Sequence, residues 1–226
     1  MKKINTILAA LSALLMLTVT SANSIEFKAG VSANGMAAYA NASETLKDSG
    51  RLSNEEAVLA TSYASIFAEV SGDDLMGIGI GVSYAPEVVE LNKETRNIQP
   101  STDSDDTGAQ IIDGKIVDLM SIYLTMPIGD SGAFVKAGYN QATLNTEENL
   151  ASGSKYENID LTGTQIGGGY EGSLGDMAFW RAEGALQMWD DISANGSEAG
   201  GTTGSTNRIE AELGSVTGAL SVGMKF

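Results

Sequence analysis

The chain contains no cysteine and no histidine. Without cysteine it has no disulfide scaffold, although an oxidising compartment would permit one. Without histidine, Ser–His–Asp chemistry and histidine general-base catalysis are impossible. Proline is scarce, with three residues among 226. Positive charge is scarce too, with 13 Lys and Arg against 29 Asp and Glu. That balance argues against nucleic acid as a partner. Long apolar runs are missing except near the start, and no other stretch reaches the roughly 20 residues of a membrane-spanning helix.

The exception is the stretch from Ile7 to Val19. It follows the cationic Met1-Lys2-Lys3 and precedes the small residues Ser21, Ala22 and Ser24. It is too short for an anchor and has the layout of a secretory signal peptide. We expect residues 1–24 to be removed, with cleavage after Ala22 or Ser24, leaving 25–226 as one domain. Removal takes Lys2 and Lys3 and no acidic residue, so the formal charge moves from −16 to −18.

Glycine is abundant, at 27 residues. Apolar residues come in short runs of period two, the mark of strands. Alternation predicts eight: about 25–39, 60–70, 76–85, 116–127, 133–144, 157–171 (bulged near Gly163), 177–189 and 208–226. Ser53-Asn54-Glu55-Glu56 matches a helix-capping pattern, which predicts one or two helical turns inside a loop. Three connections are tight and rich in Gly and Asp: Ser71-Gly72-Asp73-Asp74, Ile128-Gly129-Asp130-Ser131-Gly132 and Ser173-Leu174-Gly175-Asp176. The other four, near 40–59, 86–115, 145–156 and 190–207, read as long, polar, acidic loops. Short and long connections alternate strictly. Membrane β-barrels have this arrangement, with short periplasmic turns and longer outer loops.

The expected fold is therefore all-β: an antiparallel up-and-down transmembrane β-barrel of about eight strands. About ten residues per strand at ~3.3 Å each, tilted ~45°, span the ~25 Å apolar band of such barrels. In lipid every backbone N–H and C=O must pair, so the sheet has to close. One strand face collects Lys28, Glu69, Lys136, Arg181, Glu183 and Lys225. The charges Glu69, Lys136, Arg181 and Glu183 are assigned to the interior, as a network pairing across strands. Glycines 77, 79 and 81 are expected to leave room for large neighbours such as Arg181. An interior filled in this way predicts little open conductance.

The run from Gly218 to Phe226 carries Leu220, Val222, Met224 and Phe226 on one parity and finishes on the aromatic. It resembles the terminal strand of bacterial outer-membrane barrels, where that pattern is the signal read by the barrel-assembly machinery. Phe179-Trp180-Arg181-Ala182-Glu183, the segment Ile122–Gly129 and Phe134-Val135-Lys136-Ala137-Gly138-Tyr139 extend the likeness. Across residues 25–226 the chain resembles the small eight-stranded barrels of the opacity-protein and OmpX-like kind. The resemblance implies an exported, monomeric outer-membrane protein. Its partners would be outer-membrane lipid and, during biogenesis, periplasmic chaperones and the assembly machinery. It implies fold and address better than function, because one fold hosts many functions. The reading it favours is a non-enzymatic barrel contributing to envelope integrity or surface adhesion through four acidic loops. The alternative is a narrow porin, or a conduit for small or hydrophobic solutes.

No cofactor is expected. Gly167-Gly168-Gly169-Tyr170-Glu171-Gly172 matches G-x-G-x-x-G, but a turn follows it where a nucleotide site needs a helix, so it reads as strand. Asp103, Asp105 and Asp106 have the oxygen chemistry for Ca²⁺. They lack the closing Glu of a calcium loop and read as a solvated acidic loop.

Overall fold

A computed structural model describes residues 25–45, 52–72, 76–98, 108–149, 157–196 and 208–226. The segment 1–24, and with it the expected signal peptide, lies outside them, as do Asp103, Asp105 and Asp106. Nine strands are present among the described residues: β1 (Ile25–Thr45), β2 (Leu52–Gly72), β3 (Gly79–Ile98), β4 (Gly108–Pro127), β5 (Ala133–Asn149), β6 (Ile159–Ser173), β7 (Ala178–Trp189), β8 (Ile192–Asn195) and β9 (Arg208–Lys225). β1 to β7 pair antiparallel in sequence order, and β9 pairs with both β7 and β1, closing the sheet. β8 continues the stave begun by β7: Met188 faces Gly214 on β9, and Ile192 faces Ala211 further along it. The chain is thus an eight-stave barrel, as the alternation predicted.

Side chains sort by parity. Val31, Ile66, Ile122, Leu124, Val135, Ile166, Leu186, Leu220, Val222 and Met224 point outward and are exposed. Their inward neighbours Ser32, Ser121, Gln165, Gln187 and Ser221 are buried. A water-soluble barrel would reverse this order, so the outer belt is a lipid-facing surface. The closing seam is continuous from Lys28–Lys225 to Thr45–Arg208. Phe27 and Phe226 exchange backbone hydrogen bonds at 3.1 and 2.9 Å at its lower end, with their rings 6.2 Å apart.

The short turns behave as their residues dictate. Gly129 and Gly132 both take positive φ, at 58° and 81°, a conformation that side chains rarely tolerate. Ser131 Oγ donates to the Ile128 carbonyl and accepts from the Ala133 amide.

Several expectations need correction. Much of 40–59 and 86–115 is strand, not loop: β1 and β2 each run 21 residues. At ~3.3 Å per residue and ~45° tilt such staves rise roughly twice the height of the apolar band. Ser53 to Glu56 forms part of β2, not helical turns. Gly163 sits in unbroken register with Asn140 and Trp189; the irregularities fall between Glu87 and Val89, Leu91 and Glu94, and Val117 and Met120. A polar stretch that rises above the lipid has no apolar face, so alternation cannot reveal it as strand.

Leu220, outward and 68% exposed, lies six residues above Phe226, close to mid-membrane. Leu220→Arg should lower unfolding stability in phospholipid vesicles by about 2–4 kcal/mol, measured by urea titration. A loss under about 1 kcal/mol would mean that this face does not meet hydrocarbon.

Candidate functional site in the barrel interior

The interior is layered from the short turns upward. The lowest layer is charged. Arg181 on β7 and Glu69 on β2 are each 2% exposed, and form a bidentate pair with both distances 3.0 Å. Arg181 also binds Glu171 on β6 through Nε at 3.0 Å and Nη2 at 2.6 Å. Glu171 accepts from Lys28 Nζ on β1 at 2.7 Å. Lys136 on β5 pairs with Glu183 on β7 at 3.1 Å. The set is neutral: three cations meet three carboxylates. At the rim, Glu26 adds contacts to Lys28 at 3.2 Å and Lys225 at 3.9 Å.

Aromatic rings pack the spaces between these charges. The Arg181 guanidinium lies 5.4, 5.0 and 5.6 Å from the ring centres of Phe67, Phe134 and Phe179. Lys136 Nζ lies 4.0 Å from the centre of Tyr123. Cation–π contacts strengthen when desolvated, and all four rings belong to buried residues. Each ring lies against a glycine on a neighbouring strand: Phe67 against Gly30, Phe134 against Gly169, Phe179 against Gly223 and Tyr123 against Gly81. A Cβ at any of these glycines would clash with the ring. The glycine-rich strands are the moulds into which the plug is packed.

Above the plug the lining turns polar and neutral. Ser32 bonds Ser221 at 2.7 Å, Ser121 donates to Asn140 at 2.7 Å, and Ser215 donates to Gln187 at 2.8 Å. A cavity of about 60 Å³ lies here, lined by Asn34, Ser65, Gln165 and Gln187 among others. It is large enough for water. Gln165 Nε2, buried without a protein partner, belongs to its lining. Higher still the interior becomes apolar: Met36, Ala85, Val88, Leu119, Ala142, Leu161 and Ile192 cluster, with Tyr63, Leu144, Trp189 and Leu213 packed against them.

The structure therefore brings together Glu69, Lys136, Arg181 and Glu183, in two groups. Glu69 pairs with Arg181, and Lys136 with Glu183. Glu171 was missed, although it shares the inward parity of Gly167 and Gly169; the neighbouring glycines masked the alternation that identifies its face. The room beside Gly79 and Gly81 goes to Glu69, Thr125 and Tyr123 rather than to Arg181, and Gly77 serves the turn with φ 74°. Gly167 to Gly172 continues β6 in register with β7, with no helix following. Leu220, Val222 and Met224 lie along β9 facing outward, with Phe226 just beyond it.

No protein-family model matches the chain, and no curated protein sequence matches it. Solved structures do. The outer-membrane protein OprG of Pseudomonas aeruginosa aligns over 89% of this chain and 95% of its own, with 14% identity and a TM-score of 0.50. The outer-membrane protease OmpT of Escherichia coli aligns over 92% and 100%, at 12% identity and a TM-score of 0.42. Ail, the attachment invasion locus protein of Yersinia pestis, aligns over 88% and 98%, at 13% identity and a TM-score of 0.35. The chain shares the fold of outer-membrane β-barrels.

Removing Arg181 would leave Glu69 as an uncompensated buried charge. Arg181→Ala should cost about 3–5 kcal/mol, read from the urea midpoint in vesicles. Arg181→Met combined with Glu69→Gln should recover a substantial part of that loss. An unchanged midpoint in the single variant would show that the pair does not hold the interior.

Proposed function

We propose that the protein is a non-enzymatic β-barrel of the bacterial outer membrane that strengthens the envelope and presents its raised staves as an interaction surface. One observation carries this reading. The lumen is packed on the side of the short turns by a neutral, buried ion-pair cluster, while β1 and β2 run far beyond the length a bilayer needs. A plugged barrel is a poor porin and a stiff pillar. Extended, solvent-facing strand surface is what contact with other molecules outside the cell requires.

The same reading assigns the partners. Outer-membrane lipid covers the apolar belt. Leu220, Val222, Met224 and Phe226 serve as the segment that the barrel-assembly machinery takes up after chaperoned passage across the periplasm. The protein works as a monomer, without cofactor or nucleic acid. Against a through-pore stands the packing of Arg181 among three phenylalanines.

Deletion of the gene should sensitise cells to bile salts and large antibiotics, and should reduce adhesion to surfaces. A variant with the β1–β2 and β3–β4 hairpins shortened to bilayer height should restore the permeability barrier but not adhesion. Unchanged permeability and adhesion after deletion would refute both parts.

A further inference from the structure

The outward face does not turn from apolar to polar at one height all round the barrel. A row of direct cross-strand partners leaves β1 at Ala29, passes Val82, Ile122, Tyr139 and Met188, and returns to β1 at Tyr39, ten residues higher. At ~3.3 Å per residue and ~45° tilt the row climbs about 23 Å in one circuit, or about 3 Å per stave. Tyr84 and Tyr139 therefore stand at nearly one level, about 12 Å below Tyr39. The outward face turns polar at Gln141 on β5 and at Thr164 on β6, about 7 to 9 Å below Tyr39. On β1 and β2 it stays apolar above that level. Tyr39 pairs with Val58, and the two are 59% and 84% exposed. Ala37 and Ala60, paired below them, are exposed as well. The Tyr39 ring covers Gly214 on β9, where a Cβ would collide with it. Apolar surface that stands above the lipid marks a contact with another molecule.

Charge lies directly above this patch. The next outward row has Asn41 between Glu56 of β2 and Glu212 of β9, and the row after it has Ser43 between Asn54 and Glu210. Asn41, Ser43, Asn54, Asp191, Glu210 and Glu212 line a groove of about 460 Å³. Its acids are exposed. Arg208 pairs with Glu210 at 2.7 Å, and it is the only basic residue that the described parts of β1, β2, β8 and β9 carry above the lipid. Glu56, Glu212 and Asp191 form no ion pair among the described residues.

We infer that this outer face of β9, β1 and β2 is a docking surface for a cationic polypeptide segment in which Arg or Lys alternates with apolar residues. An apolar side chain of the partner covers Val58. The open face of the Tyr39 ring takes a guanidinium or ammonium by cation–π attraction. Glu56 and Glu212, two strand spacings or about 9.6 Å apart along the backbone, pair with separate basic groups on either side. A second copy of the chain would bring the same acids together and be repelled, and a neutral glycan would leave three carboxylates without countercharge. The inference names the partner of the interaction surface proposed above and rests on that reading. Its test uses purified protein, so adhesion lost on gene deletion without peptide binding would strike the partner and leave the surface role standing.

The protein is placed in nanodiscs of zwitterionic phospholipid. A fluorescently labelled short peptide of alternating Arg and Leu is titrated, and its anisotropy is compared with that in empty nanodiscs. Saturable binding is expected. Glu56→Gln/Glu212→Gln should weaken it about tenfold, and Tyr39→Leu, which keeps every charge, about two- to fivefold. Asp130→Asn/Asp176→Asn, which removes the same charge at the short turns, should leave it unchanged. No binding above empty nanodiscs, equal weakening by the two charge variants, or no effect of Tyr39→Leu would overturn the inference. So would saturable binding of a neutral oligosaccharide, maltohexaose, in place of the peptide.

Discussion

Arg181 is the tie on which the interior depends. Its guanidinium reaches two carboxylates from two different staves and touches three phenyl rings from three. A buried charge of this kind stabilises only if every donor finds an acceptor, because desolvation otherwise outweighs the attraction. Here the donors Nε, Nη1 and Nη2 all bond carboxylate oxygens. The geometry also explains the glycines. Four rings need room against the wall, and each finds it where a neighbouring strand lacks a side chain. Charge, ring and glycine form one packing unit, and the barrel is solid at that level because of it.

The second constraint is the need of the backbone to pair in lipid. It is met along the closing β1–β9 seam, where the Phe27–Phe226 bonds finish the ladder. The β2–β3 ladder stops at Ile66 and Tyr84, and the β4–β5 ladder is interrupted between Val117 and Met120. The first interruption coincides with a proline, with bulges on both β3 and β4, and with a change of lining from polar to apolar. The lumen is sealed on the side of the short turns by the Arg181 cluster.

Much of this was legible in the residues. Period-two alternation located all eight staves, and inward parity singled out Glu69, Lys136, Arg181 and Glu183, because a charge alternating with apolar residues can face only one way in lipid. Three things were not legible. Glu171 stands among glycines, where alternation carries no signal. The upper halves of β1 to β4 rise beyond the lipid, where neither face needs to be apolar, so their polar residues read as loop. The apolar upper interior was hidden too: Met36 stands between the uncharged Gly35 and Ala37, where alternation gives no contrast, and Leu119 and Leu161 lie where the strands are too polar for the alternation to say which face is inside. Pro86 was the one available sign of the broken ladder.

The central claim is that the lumen is closed by the Arg181 cluster. Single-channel recording of the purified protein in planar bilayers tests it most directly. The account predicts no reproducible conductance steps from the intact protein, and steps emerging when Arg181 and Lys136 are replaced by alanine together with Phe67 and Phe179. Large, reproducible steps from the intact protein would contradict it.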